Sequence, residues 1–248
     1  IVPGVDELSS ERVSAQIAEY GNWTKISKLV AETAIDPDIS EKVDIFGYNA
    51  AQTMDRLTIE AVSPYATEQV VAGKAHISEL TNISDYVITA REFRKAARTL
   101  RVNRAMPFAN GYFVAIVSPY VSYDWEGDSD FINAARYAGS EQLYKGELGR
   151  WMGIRIVEST EVYREDLSGN KNYDSGVVFH TLVFGQQAYG VIPLADGQPR
   201  IYVKKPDNND TSQPIPRYST VGWLATRAQV ILNKNFVVAI KSRATDVS

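Results

Sequence analysis

Between Asp36 and Pro64, apolar residues recur at Ile39, Val43, Phe46, Ala50, Met54, Leu57 and Ala61, in steps of three and four. That spacing puts them on one stripe of a helix. Asp36 is placed to cap it, Pro37 suits a first helical position that needs no N–H, and Asp38, Glu41 and Asp44 face the positive end of its dipole. Ser63-Pro64 ends it. A helix from Pro37 to Val62 is about 39 Å long at about 1.5 Å per residue, so any fold must be laid out around this strut.

With 248 residues, 44% of them hydrophobic, the chain is long enough for one large or two small domains with a full core. Cysteine is absent, which excludes disulfides, thiolate metal sites and cysteine nucleophiles. A net charge of −4 excludes a surface given over wholly to nucleic acid but leaves room for a local basic patch. No apolar run approaches the roughly 20 residues that cross a bilayer, so a soluble chain with no membrane partner is expected. The sequence opens at Ile1 without methionine or signal-peptide pattern, and upstream residues are expected to be missing.

The segment Arg12 to Thr33 is polar or small, with Val13, Ala15 and Ile17 alternating against Ser14, Gln16 and Ala18. It reads as an extended arm with too little apolar surface for a core of its own, to be covered by this subunit or a neighbour. Thr89 and Glu92 have capping-box spacing before a helix whose buried stripe is Phe93, Ala97 and Leu100. A continuous apolar run from Gly111 to Val121 predicts a central strand covered on both faces; Phe131 to Ala138 is a short helix, and Gly153–Thr160 and Val177–Phe184 are further strands. Five prolines between Pro193 and Pro216, with Asp207-Asn208-Asn209-Asp210, predict loops around a short strand at Ile201 to Lys204. Val221–Leu232 and Phe236–Ile240, joined around Asn233-Lys234-Asn235, predict a long antiparallel hairpin. Helices and strands interleave irregularly, so the expected class is α+β.

Catalytic and metal signatures are sparse. His76 and His180 stand far apart in sequence without HExxH spacing. The run Asp124, Glu126, Asp128, Asp130 resembles the start of a calcium loop, but Ser129 and Ala135 occupy the positions that need glycine and glutamate. No phosphate-cradling glycine loop and no GxSxG elbow is present. No cofactor and no enzymatic activity are expected. The sequons at Asn22, Asn82 and Asn209 are read as chance. One basic constellation stands out: Arg91, Arg94 or Lys95, Arg98 and Arg101 recur every three or four residues, and Arg104 follows. Such a stripe meets phosphates by charge alone, pairs with acidic groups of a neighbouring subunit, or stays hydrated.

Taken in order, Tyr20-Gly21, Thr33-Ala34-Ile35-Asp36-Pro37, Gly111-Tyr112 with Ser118-Pro119, Tyr137-Ala138-Gly139, Gly146-Glu147-Leu148-Gly149, Glu158-Ser159-Thr160, Gly185 with Ala188-Tyr189-Gly190, and Val221-Gly222-Trp223 resemble the major capsid proteins of tailed bacteriophages. The resemblance implies a Hong Kong 97-type capsid fold: a spine helix, a peripheral domain, an axial domain and an extended arm. On that reading, residues 1–34 are the arm or extended loop, 35–88 the peripheral domain with the spine helix, 89–197 the axial domain, and 198–248 the peripheral domain's C-terminal hairpin.

It further implies a virion shell protein that passes through the host cytoplasm during assembly. Its partners would be itself in hexamers and pentamers, portal, scaffold and decoration proteins, and packaged double-stranded DNA held by non-specific charge. Tyr20, Trp23 and Lys25 are the expected intersubunit contacts, and Arg91, Arg94, Arg98 and Arg101 the expected phosphate or acidic-partner contacts. Three rival readings are an encapsulin-like compartment shell with the same fold, a soluble hydrolase using His180 and the Asp124–Asp130 turn, and a nucleic-acid-binding module using the Arg91–Arg104 stripe.

Overall fold

The computed structural model describes residues 12–33, 38–80, 85–129, 149–166, 177–192, 197–205 and 217–245. Asp36 as a cap, the helix expected over Phe131–Ala138 and the Asp207–Asp210 loop lie outside them. In chain order the elements are β1 (Ala18–Ser27), α1 (Lys28–Thr33), α2 (Asp38–Val62), β2 (Thr67–Val70), α3 (Ala90–Val102), β3 (Phe113–Val117), α4 (Pro119–Glu126), β4 (Arg150–Trp151), β5 (Ile154–Glu158), β6 (Arg164–Asp166), β7 (Val177–Phe184), β8 (Tyr189–Ile192), β9 (Arg200–Lys204), β10 (Tyr218–Ile231) and β11 (Val237–Ser242). The class is α+β.

Two sheets organise the fold. In the first, β10 is central: β1 runs antiparallel along one edge, and β8 and β9 share the other. The second has the order β2-β11-β7-β3-β5-β4, with β6 pairing on β7. The strut is present as α2, and its stripe touches both sheets in turn. Ala50 and Met54, with Phe46 and Leu57, pack on Trp223 and Ala225 of β10. One turn further, Ile59 and Val62 pack on Leu182, Phe184 and Val237 of the second sheet.

The main core lies under α3 and α4. Phe93 of α3 and Trp151 of β4 both meet the ring of Trp125 from α4, edge to face, at 5.5 and 6.5 Å. Ala96, Ala97 and Leu100 complete the α3 stripe against Val183, Val238 and Ile240. Its first turn is capped from a distance. Thr89 makes no side-chain cap, and Asp128 Oδ2 instead accepts from Ala90 N at 2.8 Å. Glu92, expected to close the capping box, is buried and accepts from Gln69 Nε2 at 2.8 Å. A carboxylate beside the helix N-terminus satisfies the orphan donor and the dipole together, which releases Glu92 to the interior.

The expected C-terminal hairpin does not form. Both strands exist, but β10 belongs to the first sheet and β11 lies between β7 and β2 in the second. The link between them is a 3₁₀ turn at Lys234–Phe236, held by Asn233, whose side chain accepts from Asn235 N. Burial explains the separation: β11 is covered along almost its whole length, and such a strand belongs inside a sheet packed on both faces. Likewise the run from Gly111 to Val121 ends as a strand at Val117, because Pro119 starts α4.

Candidate functional site

The first candidate surface is the face of the four-stranded sheet turned away from α2. Residues alternate in side, so register decides what it carries. Trp223 and Ala225 point at α2, where Trp223 Nε1 donates to Asn49 Oδ1 at 2.9 Å. Tyr20, opposite Ala225, therefore faces inward and packs in the same cluster. Trp23, opposite Gly222, faces outward and is 62% exposed. Lys25 joins it, with Nζ 5.2 Å from the Trp23 ring and 4.8 Å from that of Tyr218. The structure thus brings Trp23 and Lys25 together and sends Tyr20 to the opposite face.

Two glycines make this packing possible. A Cβ on Gly222 would lie 2.6 Å from Trp23 Cβ, and one on Gly21 would lie 2.7 Å from Trp223 O. At Gly222 it is Trp23 that fills the space of a side chain, and at Gly21 it is the backbone of Trp223 with the side chain of Leu224. Sequence reasoning missed Tyr202, which lies opposite Gly222 on its other side and is 52% exposed. Trp23, Gly222 and Tyr202 form one row across three strands, beside the exposed Leu224. A short strand at Ile201 to Lys204 was visible in the sequence, but its partner strand was not.

The second candidate surface is the outer face of α3. Arg91, Arg94, Arg98 and Arg101 are all exposed. Arg94, Ala97, Arg98, Arg101, Val102 and Met152 line a shallow open basin of about 630 Å³. Arg101 Nη2 donates to Met152 O at 3.2 Å.

The groups a hydrolase reading needs are held in separate networks. His180 is buried in β7, its Nδ1 2.8 Å from Ser63 Oγ and its ring 4.8 Å from that of Tyr163. Nε2 faces Glu165 Oε2 at 3.4 Å. Burial, with the Lys241 ammonium adding to it, pushes the imidazole down to about 4 from 6.5, while Glu68 pulls weakly the other way. Asp124 accepts from the backbone and hydroxyl of Thr245, and Asp128 caps α3. These acids fasten Thr245 and a helix N-terminus. Among the described residues no His, Asp and Glu are grouped closely enough to hold a metal ion, and no helix is long and apolar enough to cross a membrane.

Neither a protein-family model nor a curated protein sequence matches the chain. Solved structures do. The head structure of Helicobacter pylori bacteriophage KHP40 superposes with a TM-score of 0.67 at 14% identity, covering 93% of this chain and 75% of that one. The capsid of cyanophage P-SCSP1u gives 0.66 at 15%, covering 97% and 78%. The holo-SrpI encapsulin complex of Synechococcus elongatus PCC 7942 gives 0.57 at 7%, covering 93% and 75%. The chain has the Hong Kong 97-type capsid fold.

Proposed function

We propose that this chain is the major capsid protein of a tailed phage, a subunit that assembles into an icosahedral shell around double-stranded DNA. The observation that carries this reading is the agreement with phage heads over nearly the whole chain. The protein acts through geometry rather than catalysis. Identical subunits joined head to tail close into rings, and rings tile a shell if the same contacts serve pentamers and hexamers. Each contact can be modest because a subunit engages several neighbours at once.

In this reading α2 is the spine and forms the peripheral domain with the four-stranded sheet. Residues 89–197, with α3 and α4, are the axial domain and residues 35–88 and 198–248 the peripheral domain, and the seven-stranded sheet draws strands from both, since β2 and β11 join those of the axial segment. The extended loop or arm includes β1. Portal, scaffold and decoration proteins are its further partners, and the virion its destination after assembly in the host cytoplasm. The likeness to an encapsulin supports a second reading with the same walls and a protein cargo. Purified particles separate the two. Co-purifying DNA supports the capsid, a co-purifying enzyme supports the compartment, and the absence of any particle contradicts both.

Trp23 is the proposed anchor of the contact made by the four-stranded sheet. Its Cβ lies over Gly222 and its ring is braced by Lys25 and open to solvent, in the manner of aromatic residues that dominate interfaces. Trp23→Ala should weaken or block shell assembly while leaving the melting temperature of the unassembled subunit within a few degrees of the parent. Normal shell yield by electron microscopy would refute the anchor role.

A further inference from the structure

The arginine face of α3 differs from an ordinary hydrated surface in two respects. Its basin is partly apolar: Val102, 73% exposed, and Met152, 50% exposed, line it together with Arg94, Arg98 and Arg101. Moreover, Met152 is displayed at a conformational cost. Its φ of 48° lies in the left-handed region, which glycine or asparagine adopts with far less strain. The turn is also clamped, since Arg101 holds Met152 O and a Cβ on Gly153 would lie 2.6 Å from Arg101 Nη2. Strain retained at an exposed side chain points to a use for that side chain.

Phosphate recognition needs only the cations and gains nothing from bare valine and methionine. Arginine and methionine together are what protein interfaces enrich. We infer that this basin docks onto a second copy of this chain, in the cleft where Tyr48 and Asp55 of α2 meet Glu158 at the end of β5 and Glu161 just beyond it. That cleft has a volume of about 410 Å³. Its carboxylates are already oriented: Glu158 accepts from Ser122 Oγ at 2.8 Å, and Glu161 from Gln52 Nε2. Tyr48 is 71% exposed and offers a ring face to an arginine or the methionine sulfur. Charge and apolar character are therefore both complementary. Basin and cleft are different surfaces of one chain, so the contact is heterologous and propagates from copy to copy. This inference rests on the shell reading and names one of its contacts.

Charge reversal tests it on the full chain. Arg98→Glu and Asp55→Arg both change exposed side chains, so each subunit should melt like the parent. Each alone should cut particle yield at least tenfold, and the double variant should recover most of it. Met152→Gly relieves the turn, so it should raise the melting temperature slightly while lowering particle yield. Normal shells from both single reversals, or from Met152→Gly, would overturn the contact alone. Failure of the double variant to recover would overturn the cleft as its partner. Shells of Arg98→Glu that form normally but hold less nucleic acid would reassign the stripe to phosphate. A parent chain that never assembles would overturn the shell reading itself, and this contact with it.

Discussion

Trp125→Ala should lower the unfolding free energy of the unassembled subunit by about 3–5 kcal/mol, the range for deleting a large aromatic side chain from a closed core. The site has little room to collapse. Trp125 is fully buried and sits where α4 meets both α3, through Phe93, and the edge of the second sheet, through Trp151. Removing the indole takes away both edge-to-face contacts along with its apolar area. The void is bounded by strands and helices fixed through their own hydrogen bonds, so relaxation recovers only a fraction. Denaturant titration of the subunit, followed by circular dichroism, measures the effect. A loss under about 1 kcal/mol would mean that the main core is not built around this ring.

Acid should destabilise the fold through His180. The imidazole has a pKa of about 4 in the folded chain and an ordinary value near 6.5 when unfolded. Above pH 6.5 it is neutral in both states and contributes no pH dependence. Between pH 6.5 and 4 the unfolded chain takes up the proton and the folded chain does not, so stability falls as pH falls. Below pH 4 both states are protonated and the loss is complete, at most about 3 kcal/mol for a difference of this size. Burial sets this sign, the Lys241 ammonium adds to it and Glu68 opposes it. Ser63 follows the end of α2, Glu165 lies on β6, and the paired Lys241 and Glu68 lie on β11 and β2. His180→Gln should flatten the stability profile across that interval relative to the parent. Equal slopes for both proteins would show that this histidine is not the group responsible.

What could be read from the chain alone follows from the range of the interactions involved. The strut was legible because its stripe and its dipole partners are local, and α2 ends at Val62 where Ser63-Pro64 stops it. The apolar runs of β5 and β7 were legible for the same reason. Pairing was not. The two C-terminal strands are five residues apart, yet they join different sheets because β11 is drawn between β7 and β2. Capping by Asp128 was equally hidden, since the donor and the carboxylate are 38 positions apart.

The candidate surfaces divide in the same way. The arginine stripe has helical spacing, and α3 does turn those side chains outward. For Tyr20, Trp23 and Lys25 the residues were visible but their sides were not, because only the register with β10 decides which of them faces α2. Two of the short motifs that carry the capsid resemblance, Tyr20-Gly21 and Val221-Gly222-Trp223, lie side by side on the paired strands β1 and β10. Their glycines are needed because another chain segment lies where a Cβ would be.

Sedimentation velocity of the purified full chain, over nanomolar to micromolar concentrations, tests most directly whether its bare aromatic and apolar faces are completed by other copies of itself. The account predicts that a subunit of 27.5 kDa passes, above a threshold concentration, into rings and then into closed particles of megadalton size. A single slow species at subunit mass throughout that range, stable and without any curved assembly, would contradict it.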